Sequence, residues 1–435
     1  MHIPDGYLSP LMSLGAAAFT VPAWAIAVRR VQAVLNNRTV PLLAIFAAFT
    51  FTIMMFNIPV PGGTTAHGVG GTLIAIVLGP AAAVIGVSMA LILQALFFGD
   101  GGVLAIFINC LNMGVILPLA GYYTYRIIAG NSPLLGTRRV WAAGIGAYVG
   151  LTISAIAVAV ELGLQPLFFS SNGQALYSPY GLEVTLPSML ISHLFGASIV
   201  EAIISALGVA YLQKRHPEYL TSLKSVFAGP GVMEGKAERH PLGQVVALIA
   251  GGGLVIMLVA GLITGGGDIS RMFGADWSQV DWASVASMLL VVAIIAALLI
   301  PLAYFLLPKR MKGIGTAFVA LAIIAPLGLI APGFAFGEGS ADDVQAAFGY
   351  VPKGIQDMSS FFSAPLASYN IPIPFFSDAE APLWHAAIGY EIAGIVGMLM
   401  LGALVFGLAN LLRRTGGRSS TSAARSDVRS DVRVP

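Results

Sequence analysis

The chain opens Met1-His2, two residues that can chelate a metal between them. The Met1 amine and the His2 amide nitrogen close a five-membered ring around an ion. From that amide nitrogen the His2 side chain returns through Nδ1 to close a six-membered ring. A dipeptide thus supplies three nitrogens in one plane and leaves a fourth position open. A square-planar, all-nitrogen set suits Ni(II) or Cu(II) and is unlike the tetrahedral preference of Zn(II). The chemistry needs a free amine. MHIPDGYLSP lacks the basic n-region of a secretory signal peptide, and His2 is too bulky for efficient removal of the initiator Met. Met1 is therefore expected to be the mature N-terminus.

Of six histidines, His67 is the best placed to supply the fourth ligand. It sits in NIPVPGGTTAHGVGG, where Pro59, Pro61, Gly62 and Gly63 favour a tight, non-helical backbone. Irregular backbone at membrane depth is tolerated when protein buries it. The alternative is that His2 is an accident of sequence and His67 a polar loop residue. A second polar group follows: Gln94, Asn109 and Asn112 are amides in apolar helices, the last two sharing a helical face. They could accept the far N–H of a ligating imidazole and fix its tautomer, or they could join helices. Asp100, in GDGG, reads as a turn residue. His193 and Glu201 are intramembrane ionisable groups, eight residues and about 12 Å apart along one helix, so they cannot pair directly. Hydrogen bonding between helices is the simpler reading for both.

These residues need a membrane scaffold. Of 435 residues, 57% are apolar and 10% charged, and the mean hydropathy is +0.86. An average soluble domain is roughly 25% charged, so a soluble enzyme and a disordered chain are both excluded. A net charge of +2 is too small for nucleic-acid binding by a basic surface. The single cysteine, Cys110, excludes an intramolecular disulfide framework and a Cys-cluster metal site. Helices of about 20 apolar residues are expected near 8–28, 40–58, 68–79, 80–98, 104–125, 140–160, 186–213, 242–264, 283–307, 313–334 and 385–411. The expected fold is all-α and polytopic, with about eleven transmembrane helices in the cell membrane.

An N-terminus outside and a C-terminus in the cytoplasm put 20 of 22 Lys and Arg in inward loops, leaving only Arg271 and Lys353 outside. That parity requires a turn at Gly79-Pro80. The chain then divides into a seven-helix unit (1–213), a cytoplasmic linker (214–241), two extra helices (242–312), a unit with an outer loop (313–412) and a disordered tail (413–435). No P-loop, H-E-x-x-H or G-x-S-x-G motif occurs, so an ATPase driving transport would be another chain.

MHIPDGYLSP, His67 and the run VLGPAAAVIGVSMALILQALFFGDGG…INCLNMG resemble the CbiM/NikM family, the substrate-capture (S) subunits of energy-coupling-factor cobalt and nickel transporters. The likeness covers about residues 1–213. It implies metal binding by the N-terminal amine, by the backbone nitrogen and imidazole of the second residue, and by a loop histidine, here Met1, His2 and His67. The stretch 313–412 resembles the CbiN/NikN-like accessory unit. Its Pro-Asp-Gly-Leu-Glu motif is eroded here to Pro352-Lys353-Gly354-Ile355-Gln356. The resemblance also implies a transmembrane coupling (EcfT-type) subunit and cytoplasmic ATP-binding-cassette (ABC) ATPases as partners. Gly15, Ala16, Ala17 and Ala18 could dock the coupling subunit or pack against a neighbouring span.

The expected function is therefore capture and uptake of Ni²⁺, slightly favoured, or Co²⁺, with no organic cofactor and no catalysis in this chain. A rival of another class is an intramembrane metal-dependent enzyme using His67, His193 and Glu201, which would need an open coordination position and a general base.

Overall fold

The computed structural model describes residues 1–32, 35, 39–60, 64–221, 281–306, 312–330, 335–377 and 381–430. Apolar runs become helices because only an internally hydrogen-bonded backbone survives in lipid. Their order is α1 (Pro10–Gln32), α2 (Thr39–Met55), α3 (Gly71–Leu78), α4 (Pro80–Phe98), α5 (Ile106–Ala129), α6 (Thr137–Phe168), α7 (Leu182–Arg215), α8 (Trp282–Leu306), α9 (Lys312–Ile324), α10 (Ala341–Phe348), α11 (Lys353–Met358) and α12 (Leu383–Ser430).

Seven of these are long and apolar enough to cross a membrane: α1, α4, α5, α6, α7, α8 and the Leu383–Arg413 part of α12. Thr39–Met55 and Val319–Ile330 are apolar but shorter. α3 has eight residues, about 12 Å of helix, against a hydrocarbon core of about 30 Å, so it cannot span alone. The break required at Gly79-Pro80 is present. Gly79 takes φ +88°, and Pro80 starts α4 where its missing N–H costs nothing. The expected span at 242–264 and most of the linker 214–241 lie outside the described residues. α12 is drawn to Ser430.

The all-α expectation needs one qualification. Among the described residues, two short antiparallel strand pairs interrupt the helices: β1 (Ile58–Val60) with β2 (Thr64–Ala66), and Ser170–Ser171 with Gln174–Ala175. β1 and β2 pair Ile58 with Ala66 and Val60 with Thr64, and deliver the chain directly to His67.

Small residues let the helices close up. A Cβ on Gly146 of α6 would lie 2.6 Å from Gly121 O of α5, and one on Gly150 would lie 2.7 Å from Leu117 O. α12 belongs to the same body. Gly397 sits where a Cβ would strike the Phe51 ring of α2, and the Tyr390 hydroxyl donates to Met55 O. Among the described residues, three helices carry a π-helical stretch, Gln94–Phe98, Cys110–Ile116 and His193–Ala197, a feature frequent near functional sites.

Candidate metal-binding site

The first nine residues form no helix and run into the bundle, where Met1, His2 and Ile3 are buried. Their backbone groups must find partners there. Ile3 exchanges two hydrogen bonds with Asn109 of α5, N–H to Oδ1 at 2.9 Å and Nδ2–H to O at 3.1 Å. Its carbonyl also accepts from Gly102 N at 2.9 Å. Asp5 accepts from Val103 N and Leu104 N at 3.1 and 2.8 Å. Ser9 N donates to Gln165 Oε1 at 3.0 Å.

His67 arrives from the other side, at the end of β2. Its Nδ1 lies 2.9 Å from Gly68 O. A carbonyl only accepts, so Nδ1 carries the proton and Nε2 presents its lone pair. That Nε2 lies 3.2 Å from Nδ1 of His2, with ring centroids 5.0 Å apart. Two imidazole nitrogens thus converge on one point, beside a buried amine.

Carboxylates surround that point. The Met1 amine pairs with Glu338 Oε1 at 3.1 Å, and His2 Nδ1 lies 3.1 Å from Asp100 Oδ1. Asp100 Oδ2 accepts from the Tyr369 hydroxyl at 2.6 Å and from Gln94 Nε2 at 3.3 Å. Gln94 Nε2 also donates to Tyr369 Oη at 2.7 Å. Burial, and then the positive Met1 amine, push the His2 imidazole down to about 4 against the opposing effects of Glu338 and Gln94. Burial, the same amine and His2 hold His67 well below its usual range. Both rings are therefore neutral at pH 7, the form that binds metal. Burial raises Asp100, partly offset by the Tyr369 hydroxyl and the amine. His2 Nε2 and Gln94 Oε1 are buried and make no hydrogen bond of ordinary geometry.

Met1, His2 and His67 are thus brought together, with Gln94 beside them. The other two amides hold different partners. Asn109 grips the backbone of Ile3 and not an imidazole, and Asn112 Nδ2 donates to Glu161 Oε2 at 2.6 Å. His67, His193 and Glu201 do not form a ligand cluster. His193 Nδ1 is 2.8 Å from Met189 O, Glu201 accepts from Val69 N and Gly70 N, and no group of three His, Cys, Asp or Glu forms a metal cluster among the described residues.

Sequence reasoning missed Glu338 and Tyr369 at this site and placed Asp100 only in a turn. The GDGG turn was a local signal for Asp100. Glu338 is 337 residues from Met1, and nothing local announces it. Glu338 and Tyr369 belong to the stretch between α9 and α12, which packs on the chain's opening. Tyr7 Oη donates to Gly339 O at 2.7 Å, and Leu366 N donates to Phe97 O at 2.9 Å. Gly354, in the eroded motif, leaves no room for a Cβ on Gly6.

The family model described as the cobalt uptake substrate-specific transmembrane region, CbiM, matches residues 2–219. The chain belongs to the CbiM/NikM family. A "Fused nickel transport protein NikMN" of Rhodobacter capsulatus is 35% identical over 96% of this chain and 100% of the relative. A "Probable fused nickel transport protein LarMN" of Lactiplantibacillus plantarum is 44% identical over 51% of this chain and 66% of the relative. A solved structure described as a crystal structure of a transition metal transporter is 48% identical, with a TM-score of 0.48, over 53% of this chain and 100% of that one. Membership of CbiM/NikM, with seven helices among the described residues long and apolar enough to cross, makes this a multi-pass membrane protein.

Proposed function

We propose that the chain captures a divalent transition-metal ion for uptake, Ni²⁺ ahead of Co²⁺, as the S subunit of an energy-coupling-factor transporter. The donors are the Met1 amine, the His2 amide nitrogen, His2 Nδ1 and His67 Nε2. The observation that carries the reading is the 3.2 Å between the two imidazole nitrogens beside the buried Met1 amine. With metal–imidazole bonds of about 2.0–2.1 Å, adjacent corners of a square stand about 2.9 Å apart, so a small movement seats an ion. The nickel and cobalt transport roles in the relatives' names and the family description support the same substrate class.

Loading proceeds by proton release. The amine loses a proton and its contact with Glu338 to offer its lone pair, the His2 amide loses its proton, and His2 Nδ1 gives up the hydrogen it turns toward Asp100 Oδ1 and His67 Nε2. Binding therefore weakens as pH falls. Four planar nitrogens favour nickel over cobalt, while affinity order alone would favour copper, so the cavity and metal supply must contribute to selectivity. Release inward needs the coupling subunit and its ATPases. Gly15 on α1 has open space where a Cβ would stand, a small exposed step for a helix to approach.

One extra residue before Met1 tests the site, because it converts the amine to an amide. Calorimetry on the purified chain is expected to show high-affinity nickel binding lost, and unchanged affinity would refute the donor set. Co-purification with an ATPase pair, and nickel uptake that depends on it, tests the transporter assignment.

A further inference from the structure

His67 reaches His2 only because the segment carrying it has a fixed shape, and one helix supplies both supports. Before His67, β1 lies on the π-helical stretch of α7, where Gly196 leaves room for Val60: a Cβ on Gly196 would stand 2.4 Å from Val60 Cγ1. After His67, the carboxyl group of Glu201, also on α7, takes the backbone. Its Oε2 accepts from Val69 N at 2.7 Å, and both its oxygens lie 2.9 Å from Gly70 N.

We infer that Glu201 is a positioning residue for metal capture, holding the His67 imidazole in the orientation and tautomer the ion requires. The inference rests on the capture reading above. Glu201 is fully buried, and such groups inside a membrane protein are expensive and commonly functional. Its geometry is specific to this segment. Gly68 lets the carboxyl approach, since a Cβ there would be 3.0 Å from Oε2. Gly70 takes φ +75°, and its N–H and that of Val69 both point at the one carboxyl. α3 begins at the next residue with no cap from its own N-cap side chain, so Glu201 satisfies donors that would otherwise be orphaned. Between Val69 and His67 lies only Gly68, whose carbonyl holds His67 Nδ1–H. Gly68 C=O and Val69 N–H belong to one peptide unit, so Glu201 grips one edge of the peptide whose other edge holds His67 Nδ1–H.

The test uses the full chain purified in detergent, titrated with Ni²⁺, with three readouts: affinity, the visible absorption of bound Ni(II), and metal-free thermal stability. The variants are Glu201→Ala, Glu201→Gln, His67→Ala and, as a distant control, Arg139→Ala. Arg139 is buried and bonded to Ser132 O and the Tyr125 hydroxyl. Loss of a residue that orients a metal ligand typically weakens metal binding about 10–100-fold, and that range is expected for Glu201→Ala. Its nickel spectrum should match that of His67→Ala, the signature of a lost fourth nitrogen. Arg139→Ala should melt earlier yet keep the wild-type spectrum. Should Glu201→Ala fail to fold, Glu201→Gln decides, since it keeps the volume but has one acceptor and sets an amide N–H₂ against a backbone N–H. Wild-type spectrum and affinity in Glu201→Gln would overturn the inference, as would weakened binding with an unaltered spectrum. If His67→Ala itself binds and absorbs like wild type, the capture reading fails first.

Discussion

Asn109 treats Ile3 as a neighbouring β-strand would, taking its N–H at 2.9 Å and giving an N–H to its carbonyl at 3.1 Å. Both residues are buried, so each unpaired group costs about 1–3 kcal/mol. Asn109→Ala is expected to lower the melting temperature and to weaken nickel binding at least about 10-fold, because Ile3 anchors the residue beside it, His2. Asn109→Asp keeps the acceptor only and should fall between. Calorimetry that found Asn109→Ala equal to wild type would show that the opening segment is held by other contacts.

The Glu338–Met1 pair predicts an effect of opposite sign. An amine bound to a metal cannot also hold its proton against Glu338, so the pair competes with loading. A partly exposed ion pair is worth about 0–1 kcal/mol. Glu338→Gln should therefore tighten nickel binding by up to about 5-fold at neutral pH. Weaker binding in that variant would mean that Glu338 helps to hold the ion.

Acid should destabilise the metal-free protein through His2. An unfolded His titrates near 6.5, and burial and the Met1 amine hold folded His2 at about 4. Above pH 6.5 neither state takes up the proton. Between 6.5 and about 4 only the unfolded chain does, so stability falls as pH is lowered, by up to about 1.4 kcal/mol per pH unit. Below about 4 the effect levels off. Asp5 and Asp100 are both raised by burial and act oppositely, so the measurement is the difference between wild type and His2→Gln. Parallel melting curves for the two between pH 7.5 and 5 would contradict the burial argument.

Gly102 is a steric test of how closely the opening segment is packed. A Cβ there would stand 2.1 Å from Asp5 Oδ1 and 2.5 Å from Asp5 N. Gly102→Ala must push Asp5 off the N–H groups of Val103 and Leu104. A loss of about 1–3 kcal/mol is expected, seen as an earlier thermal transition with weaker nickel binding. An unchanged transition would show that the turn at 101–104 yields freely.

Hydropathy makes the long helices legible, because a run such as Pro80–Phe98 has no other stable form in lipid. It does not reveal π-helical turns or eight-residue α3, since neither changes the apolar composition. The Met1-His2 pair is legible as a candidate chelator because its geometry is covalent and local. His67 stands out through the prolines and glycines around it. Glu338, Tyr369 and the partners of Glu201 leave no such trace: their contacts join positions 337, 269 and 132 residues apart, and each side chain alone is an ordinary loop or helix residue. Asn109 and Asn112 show the limit within one helix. Their shared face is readable, but one grips Ile3 and the other Glu161.

Residues 1–9 are fastened to groups 106, 156 and 337 positions later. They can be seated only when those groups are in place. The opening of the chain is thus the closing stitch of the molecule, and its burial marks a copy that has been assembled to the end.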